Sequence, residues 1–201
     1  MGRKFRGTWR GKKEKSDLNK KLKVTDKFKR ILILGCGGSG KSTFSLQLSR
    51  INGLKIYHLD SLFWNPNWIP TPQKQWEYRV KKLIRKKTWI IDGSYSGTLA
   101  LRLARADAVI FFDLSPWVCL WLIVKRRLLN IGRNRLGMPA GCPDRIYWSF
   151  VKWVWRYPQK ERPKVLALLK PFSENKQVFM VKSTSDARAV LMNFTHDKGG
   201  L

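Results

Sequence analysis

The segment Gly35-Cys36-Gly37-Gly38-Ser39-Gly40-Lys41-Ser42-Thr43 constrains the fold of this chain more than any other. Its first eight residues satisfy GxxxxGK[ST], a pattern with physical meaning only where a strand feeds the loop and a helix leaves it. Both flanks are present. RILIL (Arg30 to Leu34) is a continuous apolar run of the kind carried by a strand buried on both faces. Beyond the loop, Phe44, Leu48 and Ile51 recur at helical spacing, and Gly53 suits the helix end.

Such a loop exists to hold phosphate. Gly35, Gly37, Gly38, Ser39 and Gly40 let the backbone turn tightly and aim N–H groups at the α- and β-phosphates, where the helix N-terminus adds its dipole. Lys41 is expected to reach the β- and γ-phosphates, Ser42 to ligate Mg²⁺ and Thr43 to touch the α-phosphate. The expected ligands are therefore ATP or GTP with Mg²⁺, the choice of ATP resting on the resemblance given below. Cys36 reads as a small loop residue rather than a nucleophile.

Downstream, strands and helices alternate. KIYHLD (Lys55 to Asp60), TWIID (Thr88 to Asp92), AVIFFDL (Ala108 to Leu114) and QVFMV (Gln177 to Val181) read as strands. Between them lie a helix with Trp76, Val80, Leu83 and Ile84 on one face, started by a Thr71 cap before Pro72, and a short helix near Thr98 to Arg105. A long helix follows Ser115-Pro116, and a last one presents Ala187, Val190, Leu191 and Phe194. Strands alternating with helices imply a parallel sheet covered on both faces, with ligands beyond the carboxyl ends of the strands.

Composition narrows the partners. The 201 residues carry 41 Lys plus Arg against 13 Asp plus Glu, net +28, which favours polyanions such as nucleotides, nucleic acid or anionic membrane. Residues 1–30 contribute 13 basic and 3 acidic side chains, so +18 remains in the rest of the chain. Residues 1–29 read as a basic, flexible arm through which nucleic acid binding is possible, residues 30–195 as one domain, and 196–201 as a frayed tail. The three Cys lie far apart with no CxxC spacing and there are only two His, so neither a zinc site nor a disulfide framework is supported, and a reducing cytoplasm fits. No apolar run approaches the roughly 20 residues of a membrane span.

Taken in order, GCGGSGKST, YHLDSLFWNPNW, WIIDGSYSGTLALRL, FFDLSPWVCLW and KRRLLNIGRNR resemble the bacterial DNA topology-modulation protein family, over about Lys29 to Phe194. The resemblance implies an adenylate kinase-like P-loop NTPase: a three-layer α/β/α sandwich with a five-stranded parallel sheet in the order 2-3-1-4-5 and a helical lid, here about residues 126–145. It also implies kinship with nucleotide, shikimate and gluconate kinases.

On that frame each candidate residue has two readings. Asp60 stands where small kinases place a carboxylate that orients an acceptor hydroxyl or takes its proton, or it caps the following turn. Asp92, followed by Gly93, resembles a Walker B acid holding Mg²⁺ through water, or it caps Ser94 to Gly97. Asp113 reads as structural. Arg127 and Arg133, within the cluster Arg126, Arg127, Arg133 and Arg135, are suited to charge on a transferred phosphoryl group, or form a solvated helix end. Phe63, Trp64 and Trp68 stack a planar acceptor or make a small core under a long loop. Arg102 grips an acidic substrate or faces solvent. Trp148, Trp153 and Trp155, among Arg145, Lys152 and Arg156, touch nucleic acid or pack. The expected activity is a small-molecule or nucleotide kinase with an unidentified acceptor; the alternative is a DNA-binding NTPase.

Overall fold

The computed structural model describes residues 28–129, 141–142 and 147–195. Five parallel strands, β1 (Arg30–Gly35), β2 (Ile56–His58), β3 (Trp89–Asp92), β4 (Ala108–Phe112) and β5 (Gln177–Val181), form one sheet in the order β2-β3-β1-β4-β5. This is the predicted order. Because side chains alternate across a strand, β1 sends Leu32 and Leu34 to one face and Ile31 and Ile33 to the other. Both faces are dry, which is why the strand sequences are apolar throughout rather than alternating.

Helices cover the two faces. α1 (Lys41–Asn52) and α8 (Thr184–Thr195) pack Phe44, Leu48, Val190 and Phe194 against Ile31 and Ile33. α3 (Gln73–Ile84), α4 (Leu99–Arg105) and α7 (Arg162–Asn175) bring Trp76, Val80, Leu103 and Val165 to the opposite side. The short α2 (Leu59–Phe63) follows β2 directly. α5 (Pro116–Leu129) and α6 (Trp148–Lys160) build a third, smaller cluster of Cys119, Ile123, Val154 and Tyr157 around Cys36 of the glycine loop. The layers are thus the α/β/α sandwich the sequence predicts. Gly53 ends α1 in the left-handed conformation (φ 72°), its N–H bonded to Ser49 O at 2.8 Å.

Three local expectations need correction. The second strand stops at His58, so Asp60 lies in α2 rather than at a strand end. Thr71 does not cap α3: its hydroxyl bonds Phe63 O at 2.7 Å, across a two-residue ladder that joins Trp64–Asn65 to Ile69–Pro70. Phe28 belongs to the packed body, buried with its ring edge-on to Phe179 at 6.4 Å. Residues 1–27, the tail, Arg133, Arg135, Arg145 and most of the expected lid lie outside the described residues. Among the described residues no helix is long and apolar enough to cross a membrane.

Candidate functional site

Topology brings the site together at the carboxyl edge of the sheet. β1 ends at Gly35, where the glycine loop begins, and β3 ends beside it at Asp92. The loop conformation depends on glycine at specific points. Gly38 (φ 79°) and Gly40 (φ 86°) are left-handed, and a Cβ on Gly38 would sit 2.5 Å from Ile123 Cγ1 and 2.6 Å from Cys119 O. On Gly37 it would meet Phe150 Cζ at 2.7 Å. The outer side of the loop is therefore sealed by α5 and α6, whereas a Cβ on Gly40 meets nothing within 4 Å.

Lys41 opens α1 and its Nζ turns back over the loop to Cys36 O (2.5 Å) and Ser39 Oγ (3.3 Å). No carboxylate pairs with it among the described residues. Next to it, Ser42 Oγ donates to Asp92 Oδ2 at 2.7 Å, and the same oxygen lies 2.9 Å from His58 Nδ1. Asp92 is 5% exposed, so this small network is fixed from all sides. Thr43 follows on α1.

These residues fit a Mg²⁺–triphosphate. An ammonium with no carboxylate partner, set in a cradle of backbone at a helix start, receives an anion. The Ser42 hydroxyl and Asp92 carboxylate form the short oxygen set that Mg²⁺ takes when phosphate and water complete its shell. No group of three or more His, Cys, Asp or Glu among the described residues makes a separate metal cage.

Asp60 is tied to the same framework from the other side. The Tyr95 hydroxyl donates to Asp60 Oδ1 at 2.7 Å. Tyr95 ends a turn, Gly93-Ser94-Tyr95, that leaves β3 directly after Asp92. Ser94 Oγ donates to Gly35 O (2.7 Å) and accepts from Gly35 N (3.0 Å), stitching the turn to the glycine loop. Tyr95 adopts φ 34°, ψ 72°, a strained conformation for a residue with a Cβ.

That turn is held by Arg102, which is completely buried. Its Nη1 donates to Gly93 O at 2.9 Å, and Nη2 donates to Ser94 O and to Tyr95 O, the latter at 2.9 Å. Burial draws the guanidinium down to about 9, still protonated at neutral pH. Both sequence readings of Arg102 are therefore wrong: it neither grips a substrate nor meets solvent. Its position within a helix after an apolar strand gave no hint of an inward-facing cation.

Other candidates separate. Cys36 shares a hydrogen bond with Cys119, and that bond together with burial pushes the thiol well up, away from nucleophilic use. Asp113 is structural, bound by Arg162 at 2.7 and 2.8 Å. Arg127 is exposed in the last turn of α5, one turn beyond Ile123, which touches the loop. Phe63 packs edge-on to Trp64 (4.9 Å) and Trp76 (5.2 Å) and tilted on Tyr95 (4.9 Å). The loop aromatics thus form a core that shoulders Asp60. Sequence reading missed His58, Ser94 and Tyr95; the short motif HLD and the run DGSY contained them without marking which side chains turn inward.

No family model matches the chain, and no curated protein matches it. Among solved structures, it is similar to the shikimate kinase from Acinetobacter baumannii in complex with shikimate, at 14% identity and TM-score 0.52, over 89% of this chain and 99% of that one. It also matches a gluconokinase from Sinorhizobium meliloti 1021 at 16% identity and TM-score 0.44, over 82% of this chain and 90% of that one. The first likeness shows the fold, an α/β sandwich around a five-stranded parallel sheet.

Proposed function

We propose that this chain is a Mg²⁺-dependent small-molecule or nucleotide kinase, transferring the γ-phosphoryl group of ATP to an acceptor hydroxyl or phosphate. The observation that carries this reading is the juxtaposition of two half-sites on one turn. Asp92, at its start, holds Ser42 of the phosphate loop, and Tyr95, at its end, holds Asp60. A nucleotide-binding regulator needs the first half alone; a kinase needs both at fixed separation. The fold shared with the Acinetobacter shikimate kinase, and the motif resemblance to the topology-modulation family's kinase-like domain, agree with it.

In this reading the loop amides of Gly35, Gly37, Gly38, Ser39 and Gly40 bind the donor phosphates, and Thr43 adds a contact to the first of them. Lys41 leaves Cys36 O and Ser39 Oγ to follow the β- and γ-phosphates. Ser42 and Asp92 would hold Mg²⁺, which would offset the charge that builds on the transferred phosphoryl group. Asp60, oriented by Tyr95, positions the acceptor and takes its proton. Arg127 and Arg133 supply charge from the lid side. Residues 28–195 form the catalytic domain, with 1–27 an appended basic arm.

The test is single-turnover transfer of label from γ-labelled ATP across a metabolite panel of hydroxy acids, sugars and nucleosides. Wild type is expected to label one class of acceptor, with transfer lost in Lys41→Ala and Asp60→Asn. Unchanged turnover in both variants overturns the reading. Hydrolysis without transfer, stimulated by duplex DNA and lost on deleting residues 1–27, would favour the DNA-binding NTPase instead.

A further inference from the structure

Helices α5 and α6 turn an apolar stripe flanked by cations to solvent, and of these residues only Arg127 enters the phosphate chemistry proposed above. On α5, Trp117, Trp121, Val124 and Leu128 stand at i, i+4, i+7 and i+11, exposed by 70%, 64%, 45% and 65%. This is one stripe, about 16 Å long at the helical rise. Trp148 and Trp155 continue it on α6, exposed by 74% and 43%. The Trp117 and Trp155 rings meet edge-on at 4.7 Å, joining the two helices into one surface. The opposite sides of both helices are buried through Cys119, Ile123, Val154 and Tyr157. Each helix is thus fixed by its inner face, and the outward stripe is a surplus that packing does not explain.

Charge selects the partner. α5 and α6 together carry Lys125, Arg126, Arg127, Lys152, Arg156 and Lys160 and not one Asp or Glu. A second copy would bring the same exposed cations, Lys125, Arg127, Lys152, Arg156 and Lys160, and residues 1–27 are themselves basic in sequence. Both are repelled. A single-stranded nucleic acid would use the indoles for stacking but would leave Val124 and Leu128 in water. A lipid interface takes all of it: indole rings at the headgroup level, aliphatic side chains in the acyl boundary, and cations over anionic headgroups.

We propose that the α5–α6 face is a peripheral docking surface for anionic lipid bilayers, reversible and non-spanning. This proposal does not rest on the kinase reading.

The test uses the full chain with vesicles of phosphatidylcholine containing roughly one-third phosphatidylglycerol, against pure phosphatidylcholine, at about 0.15 M salt. Wild type is expected to sediment with the anionic vesicles only, with a blue-shifted Trp emission. The double variant Trp121→Ser/Leu128→Ser alters two exposed positions and is expected to retain the wild-type far-UV spectrum while partitioning about tenfold more weakly or worse. Lys152→Glu/Arg156→Glu, which leaves the apolar stripe intact, is expected to weaken partitioning and flatten its salt dependence. Anionic-vesicle binding unchanged in Trp121→Ser/Leu128→Ser would assign it to net charge or the basic arm and overturn the proposal. So would wild-type binding to a single-stranded oligonucleotide that displaces the vesicles and is lost in the same variant, or a dimer abolished by it without any vesicle partitioning.

Discussion

Replacing Arg102 by Met tests the framework of the site most directly. The substitution keeps an unbranched apolar stem inside a packed helix but removes three donors from the carbonyls of Gly93, Ser94 and Tyr95. Hydrogen bonds from a charged group contribute about 1.5–3 kcal/mol each. Three of them on one side chain do not sum freely, because removing a completely buried cation also removes a desolvation cost of several kcal/mol. Three carbonyls left without a donor cost about 1–3 kcal/mol each, so after the relieved desolvation the net loss is about 2–4 kcal/mol, a large share of the roughly 5–15 kcal/mol that holds a domain folded. Urea unfolding at pH 7, followed by far-UV circular dichroism, reads it as a fall in midpoint at constant slope. Arg102→Lys keeps the charge but not the planar fork and should lose about 1–3 kcal/mol. A loss below about 0.5 kcal/mol in Arg102→Met, the range of ordinary surface changes, would refute the buried clamp.

Other consequences are simpler to read. Lys41→Ala should weaken binding of a fluorescent ATP analogue by about tenfold or more, with unfolding unchanged; equal affinity would remove Lys41 from the phosphate site. Gly38→Ala places a Cβ 2.5 Å from Ile123 and 2.6 Å from Cys119 O at φ 79°, whereas Gly40→Ala meets only open space at φ 86°. Gly38→Ala should therefore destabilise clearly more than the about 1 kcal/mol of left-handed strain expected at Gly40, and equal losses in thermal melts would contradict the packing of α5 on the loop. Tyr95→Phe removes the donor to Asp60 Oδ1 and should slow single-turnover phosphoryl transfer by about tenfold with binding of the ATP analogue unchanged, since the carboxylate loses the contact that orients it; an unchanged rate would remove Tyr95 from the site. Burial pushes the Asp107 carboxyl up, but the bonds from Arg30 and from the amides of Lys29 and Arg30 outweigh it and hold the group below its usual range. Its stabilising effect is full above the unfolded value of about 4 and is lost as pH falls through the lower folded value. Asp107→Asn should accordingly flatten the acid limb of stability below about pH 4, and an unchanged limb would assign it to other carboxylates.

The fold was legible because its signals are redundant. RILIL and WIID could be read as doubly buried strands from apolar continuity alone, and the glycine pattern fixed what stood between the first strand and α1. Boundaries were less legible where side-chain chemistry ends an element. KIYHLD looks like a strand to its last residue, yet His58 pairs across to Asp92 and α2 begins at Leu59. Thr71 precedes Pro72 as a helix cap would, but a nearby carbonyl, Phe63 O, takes its hydroxyl instead. Local sequence offers both outcomes, and tertiary proximity decides.

The site divides in the same way, between what a loop can encode and what a turn must borrow. Phosphate binding is local: eight consecutive residues supply amides, ammonium and hydroxyl, so sequence alone assigns them. The link to an acceptor is non-local. Asp60 and Asp92 lie 32 residues apart in the chain and are coupled through the strained Tyr95 and the buried Arg102, neither of which belongs to a phosphate motif. An arginine placed ten residues after Asp92 reads in sequence as a substrate ligand or a surface cation because isolated buried cations are costly. It is affordable here because the turn it enters presents three carbonyls to it, and those carbonyls converge because Gly93 and Tyr95 adopt positive φ. The cation and the strained turn therefore stabilise each other. It follows that the spacing of the two half-sites depends on Arg102 more than on either aspartate, and that substitutions at Arg102 should disturb Asp60 and Asp92 together.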